Sequence, residues 1–194
     1  MSIHTYLHDT LGFSHYEIAQ IRYFIMSILS ELSKLLLIGF FFFLLHRLTL
    51  FMTAAIVLCL LRITTGGVHF RHYVSCLAMS FLIFFIGICV LQPVCLAKPA
   101  QLFLLLCCVL INYCCAPVVS CFRPIPDGIK VWHAKIRSFW LITWFSVLLF
   151  VFPQNQYINI GFWMIILQTI QLFAAKLQKR RVKYEASSNA VADN

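Results

Sequence analysis

Residues 74–91 run for 18 positions without a charge, and that one run removes most folds from consideration. A helix rises about 1.5 Å per residue, so the run matches the hydrocarbon thickness of one bilayer, about 30 Å. The pattern repeats along the chain, with apolar runs at 24–45, 48–61, 100–115, 139–152 and 157–175. Inside lipid every backbone N–H and C=O needs an internal partner, so segments of this length are helices. Composition agrees, with 62% hydrophobic and 11% charged residues, where a soluble domain carries about 25% charged. The chain reads as an all-α integral membrane protein of about six transmembrane helices, one polytopic domain over 1–185. Neither Gly nor Pro marks a turn between 24–45 and 48–61, so four spans plus a re-entrant hairpin is the alternative.

The ends differ from the middle. Within 1–22, Ile3, Leu7, Leu11, Ile18 and Ile21 recur among polar residues, the pattern of an amphipathic interfacial segment. His4, His8 and His15 share that segment, but without a third ligand they read as a solvated face, and no metal or cofactor is expected. Residues 1–30 lack the basic-then-apolar layout of a signal peptide. From 176 on, five basic residues precede a small, polar stretch, and 186–194 reads as a disordered tail. The net charge of +9 fits membrane topology and anionic-lipid contact, not nucleic-acid binding. Seven of the nine cysteines lie in or beside apolar runs, where cysteine serves as a small hydrophobe.

Lys/Arg bias sets orientation. Segment 123–137, read as a polar loop, holds Arg123, Lys130, Lys135 and Arg137 against Asp127 alone. It and the basic tail belong inside; loops 92–99 and 153–156 belong outside. Both termini and residues 62–76 are then cytoplasmic.

That stretch, Arg62-Ile-Thr-Thr-Gly-Gly-Val-His-Phe-Arg-His-Tyr-Val-Ser-Cys76, is the one part that does not read as lipid-facing helix. Ionisable groups beside embedded segments mark a candidate site, because placing them there is costly. On a straight helix His69 and Cys76 would stand about 10.5 Å apart along the axis, beyond the 2.6–3.2 Å reach of a base to its nucleophile. A dyad of the two needs a backbone break, which Gly66 and Gly67 supply. Ser75 is then a candidate N-cap, placing Cys76 at the positive end of a helix dipole that favours a thiolate. His72, four before Cys76, is the rival base if 71–76 are helical.

The spacing Arg62-x4-Gly66-Gly67-x-His69-x6-Cys76 resembles the signature of the accessory gene regulator B (AgrB) family, membrane-embedded bacterial cysteine endopeptidases. Ala116-Pro117, Pro124-Ile125, Lys135 and Ser138 are similar to that family's Ala-Pro, Pro-Ile and Lys-x-x-Ser elements. Phe70 follows the histidine where the family often has alanine, a difference of packing and not of chemistry. The resemblance implies that Cys76 is the nucleophile, His69 the base, and Arg62 a site residue, with Gly66 and Gly67 shaping the loop. It implies cleavage of an AgrD-like quorum-sensing propeptide through a Cys thioester, closure to a thiolactone or lactone, a homodimer and the bacterial cell membrane. Lys130, Lys135 and Arg137 are candidates for steering an acidic propeptide segment. The competing function is a non-enzymatic peptide transporter or channel subunit with structural His69 and Cys76. Repeated broken helices would support that, and the sequence holds one broken stretch.

Overall fold

The computed structural model describes residues 15–66, 72–117, 128–152 and 155–192. Its elements are α1 (His15–Leu44), α2 (Leu48–Thr65), α3 (Tyr73–Phe85) with a π-helical continuation (Ile86–Leu91), α4 (Lys98–Cys115), α5 (Gly128–Val151) and α6 (Gln156–Ala192). Among the described residues six stretches are long and apolar enough to cross a membrane: Phe24–Leu44, Leu48–Thr65, Tyr73–Leu91, Lys98–Cys115, Val131–Val151 and Gln156–Gln178. The six-span reading holds, and α2 is by itself long and apolar enough to cross. The chain is a multi-pass membrane protein.

The turn that sequence leaves unmarked uses a histidine. His46 takes φ 55°, and its N–H donates to Phe43 O at 3.0 Å while Leu45 N–H donates to Phe41 O at 3.2 Å. A left-handed residue just past a helix end closes the orphan carbonyls, a role usually given to Gly but open to His.

Met1–His46 and Arg47–Asn194 are two compact units, where sequence alone reads 1–185 as one domain. In the first, buried Lys34 pairs with Glu31 one turn earlier, so the cation meets its counter-charge on the same apolar helix.

The second unit is built around α6. Its span is 61% buried, against 17–39% for the spans of α2 to α5. Leu61 of α2, Leu105 and Cys108 of α4, Ile142, Phe145 and Leu149 of α5 and Phe162 and Ile165 of α6 form one buried cluster. The opposite faces carry exposed Phe103, Leu106, Trp140, Trp144 and Phe150, the surface a lipid-embedded bundle presents. Between helices in lipid the attraction comes from close packing and interhelical hydrogen bonds, not from water exclusion. Two glycines let α6 approach closely: a Cβ on Gly161 would stand 2.5 Å from Phe145 Cζ, and one on Gly87 2.8 Å from Met164 Sδ.

One end of the bundle is laced by side chains onto main-chain oxygens. Arg47 donates to Ile88 O at 3.1 Å, Asn159 to Gln92 O at 2.6 Å and Trp163 Nε1 to Val94 O at 3.1 Å. These satisfy carbonyls around the π-helical end, where Gln92 N–H bonds to Gly87 O five residues back.

Three boundaries differ from the sequence reading. Helix α5 begins at Gly128, so Lys130, Lys135 and Arg137 are helical and not in a loop; Pro124 and Pro126 end their influence upstream, and Lys and Arg are good helix formers. Helix α3 begins at Tyr73 with His72 as its N-cap, so Ser75 lies within the first turn and does not cap it. Helix α6 continues to Ala192, through the stretch expected to be a disordered tail. A helix already nucleated by packing extends at low cost through the Lys-, Gln- and Arg-rich residues 176–183 that lead into that stretch. The amphipathic reading of 1–22 falls mostly outside the described residues.

Candidate functional site

Helix α2 ends because Gly66 turns the chain out of it. Gly66 N–H still donates to Arg62 O at 3.0 Å, but its own dihedrals are φ 77°, ψ −164°. That combination belongs almost solely to glycine, since a Cβ would collide with the backbone. Of the two glycines singled out in sequence, Gly66 is thus placed and carries the break. Gly67 and His69 lie outside the described residues.

Across the connection, the chain re-enters regular structure at His72, which is extended (φ −104°, ψ 135°) and makes no side-chain cap bond. The first intrahelical bond of α3 runs from Cys76 N–H to His72 O at 3.2 Å. Cys76 therefore sits in the first turn, half-buried, at the end of α3 where unpaired N–H groups concentrate positive charge. His72 is exposed and precedes the helix, so the helical 71–76 stretch that would align it with Cys76 is not formed. Gly66 and Cys76 belong to the same end of the bundle, because one short connection joins them.

What fixes the Gly66 end comes from α6. Gln168 is fully buried, and its Nε2 donates to Gly66 O at 3.0 Å and to Thr65 Oγ1 at 3.4 Å. One turn on, Gln171 Oε1 accepts from Arg62 Nη2 at 3.0 Å. Thr65 Oγ1 folds back to Leu61 O at 2.8 Å. The last carbonyls of a helix have no intrahelical partner, and here α6 supplies donors at the point where α2 ends. Arg62, expected as a site residue, is tied into the bundle beside the loop it borders.

The neighbouring helix is braced in the same layer. Asn112 of α4 donates to Thr169 Oγ1 of α6 at 2.8 Å, Thr169 returns to Ile165 O, and Lys176 donates to Cys114 O. Interhelical bonds of this kind contribute about 0.6–1.7 kcal/mol each in lipid. Beyond them Lys135 Nζ lies 4.9 Å over the Tyr113 ring, and buried Ser138 donates to Lys135 O at 2.9 Å. Ala116, buried, and Cys115 pack on Leu172. The Ala-Pro element noted in sequence thus lies just past the end of α4, and the Lys-x-x-Ser element lies within α5. Arg137 is exposed, and Lys130 lies in the first turn of α5.

Sequence reasoning passes over Gln168, Gln171, Asn112 and Thr169. Their signal is amide and hydroxyl groups inside an apolar run, spaced three and one apart on α6. Polar groups at that depth cost free energy unless they bond across helices.

Comparison with known proteins follows the same line. The family model for accessory gene regulator B matches residues 2–172. A protein of Clostridium beijerinckii described as AgrB-like is 36% identical over 70 residues, which are 36% of this chain and 35% of that protein. The chain thus spans about a third of the length of the curated relative it matches. No solved structure matches. With a family model covering nearly all of it, from the N-terminal segment to the polar face of α6, this chain belongs to the accessory gene regulator B family.

Proposed function

We propose that this protein is a membrane cysteine endopeptidase that cuts the C-terminal part from a quorum-sensing propeptide, with Cys76 as nucleophile and His69 as base. Family membership supports a part in accessory gene regulator autoinducer processing. The observation that carries the finer reading is the position of Cys76: a half-buried thiol in the first turn of α3, the next helix after the glycine-only conformation at which α2 ends.

In this reading His69 takes the Cys76 proton and the thiolate attacks the scissile carbonyl. The tetrahedral adduct collapses to a thioester, and the C-terminal part leaves as an amine that takes the proton back from His69. The thioester keeps the acyl group reactive. An internal Cys or Ser of the propeptide then closes a thiolactone or lactone ring, and water would give the linear peptide instead. A site at the membrane surface that limits water favours the ring. The partner is an AgrD-like propeptide. The Lys/Arg bias of 123–137 and the tail puts both termini and the site on the cytoplasmic side of the bacterial membrane, and the working unit is a homodimer.

Propeptide processing by variants in isolated membranes tests this. Cys76→Ala abolishes cleavage. Cys76→Ser leaves little, since a hydroxyl is a far weaker nucleophile at neutral pH. His69→Ala loses about 10²–10⁴-fold by removing the base, and His72→Ala far less. Cleavage at the normal rate by Cys76→Ala overturns the proposal.

A further inference from the structure

We propose that Gln168 is the positioning residue of this site: by donating to Gly66 O from the buried helix, it sets the direction in which the chain leaves α2 toward His69. The proposal rests on the Cys76–His69 reading and adds to it a residue on another element, 102 positions beyond Gly66 in sequence.

The reasoning starts from what Gln168 does not gain. It is fully buried, and its Oε1 has no hydrogen-bond partner among the described residues. A buried acceptor left unpaired is unfavourable, and methionine, of nearly the same length, would fill the same space without that cost. Packing alone therefore does not account for an amide here. Its bonds do: Nε2 reaches the Gly66 carbonyl at 3.0 Å and the Thr65 hydroxyl at 3.4 Å.

Both acceptors lie at the last residue of α2 and the first beyond it. Gly66 is free to take conformations on either side of φ = 0, so its own chemistry does not choose φ 77°, ψ −164°. A donor locked in a packed helix does choose. Holding the carbonyl oxygen fixes the peptide plane that follows, and hence the heading of the chain. Thr65 assists from its own side, its single hydroxyl proton going to Leu61 O at 2.8 Å, which leaves the oxygen to accept from Gln168. Gln171 holds Arg62 one turn earlier. Two glutamines one turn apart on α6 thus clamp the last turn of α2, and of the pair Gln168 touches the exit itself. A near-attack geometry lost by about 1 Å lowers rates by about a hundredfold, so such a hold on the backbone has catalytic consequence without contact to substrate.

The test pairs Gln168→Met, which keeps length and removes the donor, with Gln168→Glu, which keeps the shape and sets a carboxylate against the carbonyl. Propeptide cleavage is measured in each, alone and combined with His69→Ala, alongside hydrogen exchange of the purified full-length protein. The expected result is a kcat about 10- to 100-fold lower with KM within about twofold. Added to His69→Ala, either change costs nothing further, because the base it positions is already gone. Exchange rises at the α2 exit and not in the buried parts of α4 and α5. Wild-type kcat in both variants overturns the proposal. So does a full extra loss on top of His69→Ala, or exchange raised throughout the bundle, which marks Gln168 as a general packing residue. Normal cleavage by Cys76→Ala is a different outcome, since it removes the peptidase reading on which the proposal rests.

Discussion

Gly66 shows how much one residue carries. At φ 77°, ψ −164° a side chain costs about 1–3 kcal/mol, and the surrounding bonds from Arg62, Thr65 and Gln168 leave the backbone little room to escape. Gly66→Ala is expected to fold and insert, yet to process propeptide about 5- to 150-fold more slowly if that strain falls on the site. Wild-type processing by inserted Gly66→Ala contradicts this. The need for glycine here was legible from the Gly-Gly pair, as was the candidate cysteine from its spacing. The donor that exploits Gly66 was not, because a lone glutamine in an apolar run looks the same in sequence whether it meets lipid, a neighbour's side chain or a carbonyl. The same limit hides Asn112 and Thr169.

At the scale of elements, runs without charge reveal spans because the bilayer fixes their length. Their ends are harder to read where capping uses unusual residues. His46 turns the chain with a left-handed backbone, a role that its identity alone does not announce. His72 caps α3 through extended backbone only, which is why Ser75, a stronger capping type, drew the boundary three residues late. Helix α5 hid behind the turn signals of Pro124, Pro126 and Gly128, although its first turns hold the good helix formers Lys130, Ala134 and Lys135.

Glycine contacts of α6 give the packing test. Gly161→Ala sets a methyl 2.5 Å from a ring atom of Phe145, a residue of the buried cluster whose ring moves only as a rigid body. The expected cost is about 1–3 kcal/mol, a melting shift of about 2–10 °C in detergent. Gly87→Ala meets the flexible end of Met164 and is expected to shift melting by less than half as much. Equal shifts would show that the two close approaches do not differ in stiffness.

For the whole molecule, the proposed orientation has both termini on the cytoplasmic side, the reading that the Lys/Arg bias of the sequence supports. Single-cysteine probes on a background without reactive native thiols check it. In intact cells an impermeant thiol reagent is expected to modify Gln154→Cys and to spare Gly128→Cys and Ser187→Cys; modification of either of the last two reverses the orientation. The basic residues at the start of α5 carry a second expectation. Lys135 is engaged over Tyr113, whereas Arg137 is exposed. Lys130→Glu with Arg137→Glu should raise the KM for an acidic propeptide, with an effect that fades as salt is added. An unchanged KM at low salt removes this surface as the docking site.

The central claim is that the cut passes through a covalent bond to Cys76. Propeptide mixed with the full-length protein, quenched in acid within the first turnover and digested for mass mapping, tests it most directly. A hydroxylamine-sensitive adduct carrying the N-terminal part of the propeptide on the peptide that contains Cys76, absent from Cys76→Ala, is the expected result. An adduct on another cysteine, or cleavage that proceeds with no adduct, contradicts the account.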